Sequence, residues 1–181
     1  AEKLEQLEIE NIDVEQRLEQ ELKRYYHIIT AEKRLDQVAC DFVQNYACAW
    51  ESGKAMLVCI DKITCVRMYK RIEVYWKEKI NELTTQLQTS LDEQEEQFLL
   101  RQIKWMKQTK IAVVISEEQG EVGKFEKWGL DITSHRRLIK EGFDVPEAMR
   151  KLPQFRGKRR LSMDDAFKED AHPFRIAIVC A

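Results

Sequence analysis

Proline and glycine are scarce: three prolines and six glycines in 181 residues. That excludes a collagen-like repeat, a proline-rich spacer or a low-complexity tract. No apolar run approaches the roughly 20 residues needed to cross a bilayer, so no spanning helix and no membrane partner are expected. The five cysteines (Cys40, Cys48, Cys59, Cys65 and Cys180) are odd in number and show no two-residue spacing. His27, His135 and His172 stand far apart, so neither a metal motif nor a disulfide framework is legible. With no secretory signal legible either, buried structural thiols in a reducing cytoplasm are expected. A net charge of -2 carries no global sign of a nucleic-acid partner.

What is present is ordinary for a globular chain, 44% hydrophobic and 34% charged. A chain of this length buries about 70% of its unfolded surface, enough for one domain with an extension. The charge is unevenly placed. Residues 1–24 are acidic, whereas residues 136–160 carry Arg136, Arg137, Lys140, Arg150, Lys151, Arg156, Lys158, Arg159 and Arg160 against Glu141, Asp144 and Glu147.

Leu4, Leu7, Val14, Leu18, Leu22 and Tyr25 form a narrow apolar stripe on that acidic segment, which predicts a docking helix over residues 1–29 with a break near Asn11. Thr30 is expected to cap the next helix, whose apolar positions run from Leu35 to Trp50. "KAMLVCI" predicts a buried strand, and the segment from Ile63 to about Gln88 a long helix. "SLDE", Ser90 to Glu93, has capping-box spacing and opens a further helix, and "KIAVVIS" predicts a second strand. A short helix near Phe125, an irregular basic stretch from Asp131 to Arg160 and a short helix capped by Ser162 follow. "FRIAIVCA" is then the third strand, apolar nearly throughout as an interior parallel strand is. Helices between apolar strands predict an α/β fold with parallel strands and crossover helices.

No catalytic constellation is legible. "SGKA", Ser52 to Ala55, fails as a phosphate loop, because Cys48 replaces the first glycine, Ala55 replaces the hydroxyl, and the pair precedes its strand. "ELK", Glu21 to Lys23, has the letters of a nuclease motif but sits on an amphipathic helix. No serine or cysteine has a base beside it in a recognisable motif, and catalytic, cofactor-binding and metal-binding residues are all expected to be absent from this chain.

"RLDQVACDFVQNY", "SGKAMLVCIDKITCVRMY", "KIAVVIS", "WGLDITSHRRLI" and "DDAFKEDAHPFRIAIVCA" together resemble the second motor lobe of the restriction subunit of type I restriction-modification enzymes. The resemblance implies an incomplete RecA-like lobe over residues 30–181, truncated at its C-terminus and preceded by a helical connector at 1–29. It implies a parent enzyme that translocates on double-stranded DNA using ATP and Mg and cleaves it as an endonuclease. Its partners would be the first motor lobe and nuclease domain of the same chain, with the modification and specificity subunits. In that family "IVCA" precedes a threonine-glycine-phenylalanine-aspartate motif and an arginine-bearing segment facing ATP. Neither is in this sequence, so the chain is expected to be an excised piece, inert by itself and binding no cofactor. "GFDVP", Gly142 to Pro146, imitates the missing motif from a loop and does not take its role.

In lobes of this class the turn after the first strand grips backbone phosphates, which points to Lys62 and Thr64, with Ser116 at the tip of the second strand on the same edge. The basic stretch adds Arg136, Arg137, Arg156, Lys158, Arg159 and Arg160 as candidate phosphate contacts, since polyanion affinity comes mainly from lysine and arginine. Two other readings stand beside this one: a noncatalytic assembly module docking a partner through Leu4, Leu7, Leu18 and Leu22, and a lobe of another helicase-type motor.

Overall fold

The computed structural model describes residues 17–89 and 92–181. The chain divides into two compact units, residues 1–38 and 39–181.

In the first unit a helix, α1, covers residues 17–29. Leu18, Leu22, Tyr25 and Ile29 recur along it at helical spacing and are all exposed. Leu4, Leu7 and the expected break near Asn11 lie outside the described residues. Thr30 does not cap the following helix α2 (Glu32–Cys48). Its amide and hydroxyl both donate to the Tyr26 carbonyl, at 2.9 and 2.7 Å, so it closes α1 instead. A threonine hydroxyl can bond back to the carbonyl four residues before it, and here that alternative wins.

The second unit is built on β1 (Ala55–Cys59), α3 (Lys62–Thr89), α4 (Glu93–Gln108), β2 (Lys110–Val114) and a late strand, β5 (Phe174–Cys180). These strands form one parallel sheet in the order β1-β5-β2. Ile178 pairs with Leu57 on one side and Val113 on the other, so the last strand is the central one. Ile176, Ala177 and Ile178 are buried accordingly.

One face of the sheet is covered by α3, which packs on all three strands. Its buried stripe is Cys65, Val66, Met68, Ile72, Trp76 and Leu83. The Trp76 indole donates to the Met106 carbonyl at 3.0 Å, tying α3 to α4. The helix α4 is capped by Asp92, whose side chain accepts from the Gln94 amide at 3.1 Å; the expected cap Ser90 is not among the described residues.

The stretch expected to be irregular is ordered on the opposite face. Between the two short helices that were expected, α5 (Glu121–Glu126) and α8 (Met163–Lys168, capped by Ser162), it contains α6 (Thr133–Glu141), β3 (Phe143–Asp144), α7 (Glu147–Arg150), a 3-10 turn (Pro153–Phe155) and β4 (Arg160–Leu161). Short elements organise here because single apolar residues among the charges converge on one core. Phe143, Val145, Met149, Phe155, Leu161, Met163 and Ala166 pack with Ala112, Phe174 and Ala177 of the sheet. "GFDVP" is therefore not a free loop, since Phe143 and Asp144 pair antiparallel with Leu161 and Arg160. Gly142 makes the entry possible: its φ is +70°, and a Cβ there would lie 2.0 Å from the Leu161 carbonyl oxygen. His172, fully buried, joins this ribbon to β5 by accepting from the Phe174 amide through Nδ1 at 3.0 Å. Nε2 is then the protonated nitrogen and faces the Asp144 carbonyl at 3.4 Å.

This second layer covers β2 and β5 but not β1. Met56 and Val58, in register with Ala177 and Val179, are 56% and 59% exposed. Among the described residues, no helix is long and apolar enough to cross a membrane.

Candidate nucleic-acid interface

The carboxyl ends of the three parallel strands share one edge of the sheet, the edge at which α/β sheets bind ligands. There β1 runs into α3 through Ile60 and Asp61. The Asp61 carboxylate accepts from the Thr64 amide at 2.6 Å, and its carbonyl accepts from the Cys65 amide at 3.1 Å. The amides of Lys62 and Ile63 have no hydrogen-bond partner among the described residues, as at any open helix start. Thr64 is buried and its hydroxyl is unpartnered, the only such side-chain atom found among the described residues. A buried, unsatisfied hydroxyl costs roughly 1–3 kcal/mol. An acceptor arriving at this turn would remove that cost.

Lys62 lies at the same turn, half-buried, with its ammonium 3.6 Å from the Glu118 carboxylate. Glu118 also pairs with Lys124, which holds its pKa below the usual carboxylate range, with Lys62 a smaller contributor. Ser116 is exposed just past the end of β2, beside Glu117, which pairs with Lys140 at 3.4 Å. The edge is thus a network of paired charges, with carboxylates next to its cations. Sequence reading missed those carboxylates, although Glu117, Glu118 and Glu121 follow directly on the strand.

Arg136 belongs to this network rather than to the surface. It is 8% exposed. Nε and Nη2 donate to the two Glu121 carboxylate oxygens at 2.5 and 2.7 Å, Nη1 to the Ile115 carbonyl at 2.5 Å, and Nη2 to the Ser116 carbonyl at 2.7 Å. The fork clamps the tip of β2 to α6 and α5, and a carboxylate so bonded has a lowered pKa, chiefly through Arg136. Its expected phosphate contact is replaced by a structural one, because Glu121 supplies the bidentate anion from within the chain.

The remaining basic candidates separate into groups. Arg156, Lys158 and Arg159 are exposed, and their side chains have no partner among the described residues. Between them Gly157 turns the chain at φ +79°. Arg160 is exposed but bonded to Glu141 at 3.0 Å and Asp144 at 3.1 Å. Phe155 is buried in the core and does not offer a stacking face. Arg137 lies on the outer side of α6 at the mouth of a separate cavity.

ATP and Mg, implied by the resemblance, do not fit the residues at Gly53 and Lys54. The Lys54 ammonium donates to the carbonyls of Ala166 and Glu169 at 2.8 and 2.6 Å, at the end of α8, and burial pulls its pKa down to about 8. It is engaged at the amino end of β1, away from the strand tips. Among the described residues no group of His, Cys, Asp and Glu is arranged to hold a metal ion. Of the cysteines, Cys59 and Cys65 are buried, and the neighbouring Cys59 thiol, with burial, pushes the Cys65 pKa up, while Cys48 is exposed, contrary to expectation. The apolar spacing of α2 did not reveal that its last turn is open.

Comparison with protein-family models, with curated proteins and with solved structures finds no match.

Proposed function

We propose that the chain is the second RecA-like lobe of the DNA-translocating restriction subunit of a type I restriction-modification enzyme, inactive by itself, and that its strand-tip edge grips duplex phosphates. The observation that carries this reading is the β1–α3 turn. A 28-residue helix starts at the carboxyl edge of a parallel sheet with two open amides, and Thr64 keeps an unsatisfied hydroxyl beside them. The helix dipole and the free amides favour an anion there. Lys62, held only loosely by Glu118, supplies a cation at the same turn. The ribbon of Arg156, Lys158 and Arg159 adds solvent-facing charge that is free to neutralise further phosphates. Such contacts position a duplex without reading its sequence, as a translocating motor requires.

The test is fluorescence anisotropy with a random-sequence duplex at about 50 mM salt and upwards. Wild type is expected to bind, and Thr64→Val to bind several-fold more weakly. A combined Arg156→Ala, Lys158→Ala, Arg159→Ala variant is expected to lower the salt slope by about 0.9 for every phosphate that the ribbon no longer neutralises. No duplex binding by wild type, or binding unchanged in both variants, rejects the proposal.

The alternative of an assembly module draws on one observation, the exposed stripe of Leu18, Leu22, Tyr25 and Ile29 on α1. It predicts that replacing Leu18 and Leu22 with serine abolishes capture of a protein partner while DNA affinity stays unchanged.

A further inference from the structure

A cavity of about 710 Å³ opens between the early turns of α3 and the outer side of α6, with Arg160 of β4 at one end. Its size falls in the range of small-ligand sites, roughly 300–1,000 Å³. His135 lines it. The imidazole is 8% exposed, lies edge-on to the Tyr69 ring at 4.6 Å, and has no hydrogen-bond partner among the described residues. Its ring nitrogens keep some access to solvent and are open to a group that enters the cavity.

The charged groups of the cavity are unequally satisfied. Glu73 accepts from the Tyr69 hydroxyl at 2.8 Å, Asp131 from the Thr133 amide at 2.8 Å, and Glu141 from Arg160 at 3.0 Å. Each carboxylate thus holds a partner. Arg137 is exposed at the mouth and has none, and Lys70 has one long contact, 3.4 Å, to the Gly129 carbonyl. What the cavity lacks is an anion with several acceptor oxygens.

We infer that this cavity binds a small phosphorylated molecule, a phosphate monoester of about nucleotide size, with its phosphoryl group held by Arg137, Lys70 and the His135 ring. A guanidinium fork, an ammonium and an imidazole N–H together offer more donors than a carboxylate's two oxygens can accept, and a phosphoryl group accepts them all. Burial lowers the His135 pKa, against the opposing influence of Asp131 and Glu73. The ring is therefore neutral near pH 7 and can donate from one nitrogen and accept a phosphate O–H at the other. A nucleic-acid strand suits the site poorly. Three carboxylates line the walls and repel an extended polyanion, whereas a single phosphoryl group needs only the donors that Arg137, Lys70 and His135 bring to the lining.

The experiment is a histidine-ring NMR titration of the full chain, whose three histidines give few signals and are assigned by single substitution. The probes are inorganic phosphate, then a nucleoside monophosphate, with chloride at matched ionic strength as control. The His135 resonance is expected to move saturably with both phosphates and not with chloride. The nucleoside monophosphate should bind at least as tightly as phosphate, and Arg137→Ala should weaken both about tenfold. Arg137 and Lys70 are exposed, so Arg137→Ala and Lys70→Ala leave the core intact. A His135 response that chloride reproduces, that persists unchanged in both variants, or that only a duplex oligonucleotide elicits overturns the inference. Because the variants leave Thr64 and the 156–159 ribbon untouched, this outcome is independent of duplex binding at the strand tips.

Discussion

Replacing Arg136 with methionine removes the clamp at the tip of β2 while keeping most of its volume. Four hydrogen bonds go with it, two of them to a Glu121 carboxylate that is itself only 6% exposed. The remaining partner of that carboxylate is the Glu118 amide at 3.1 Å. Leaving one member of a buried pair without its counter-ion costs about 3–5 kcal/mol, because the stranded charge keeps its desolvation penalty. For a chain of this length each kcal/mol lowers Tm by about 2–4 °C, so Arg136→Met should lower Tm by about 6–20 °C. Tryptophan fluorescence is the assay, since Trp50, Trp76, Trp105 and Trp128 all lie in the second unit. A second variant, Arg136→Met with Glu121→Leu, removes both charges and should recover at least half of the loss. A single variant melting within about 3 °C of wild type, or a double variant no better than the single one, would refute the reasoning.

Gly142→Ala forces a side chain into a left-handed conformation and against the Leu161 carbonyl, so a loss of at least about 2 kcal/mol in chemical denaturation is expected. Thr64→Val removes an unsatisfied buried hydroxyl and should leave stability unchanged or raise it by up to about 1 kcal/mol, so a clearly lower urea midpoint would show that the hydroxyl has a partner. Burial lowers the pKa of both His135 and His172, so the unfolded chain binds protons that the folded chain does not. Stability from these residues is complete above about pH 7.5 and falls as pH drops through the unfolded histidine value near 6.5, levelling below the depressed folded values. Urea melts between pH 5 and 8 should show that decline, reduced in His172→Gln when each variant is compared with its own value at pH 8.

The three apolar strands and the long helix after the first were legible because their periodicities are strong and their ends are marked by polar turns. The order of the strands was not, because nothing in "FRIAIVCA" says which neighbours it takes; its apolar faces say only that it has them on both sides. The same limit applies to Arg136. In a run of basic residues it looks like its neighbour Arg137, and only the fold brings Glu121, fifteen residues upstream, under its guanidinium. The segment 131–160 concealed its order because Phe143, Val145, Met149, Phe155 and Leu161 follow neither a helical nor an alternating period. Thr30 matched a capping pattern that the preceding turn of helix satisfied first. His135 gave no signal at all, for a histidine becomes a ligand candidate only when its burial and lack of partners are visible.

The position of β5 between two strands that precede it has a kinetic consequence. Ala55 and Ile176, register partners, stand more than a hundred residues apart, and β1 and β2 share no hydrogen bonds of their own. During synthesis the helices can form early, but neither strand acquires its neighbour until Phe174–Cys180 has left the ribosome. Closure over so long a loop is slow, and the unpaired edges of β1 and β2 stay open to wrong partners in the interval. Assembly of this sheet is set by the last strand to arrive.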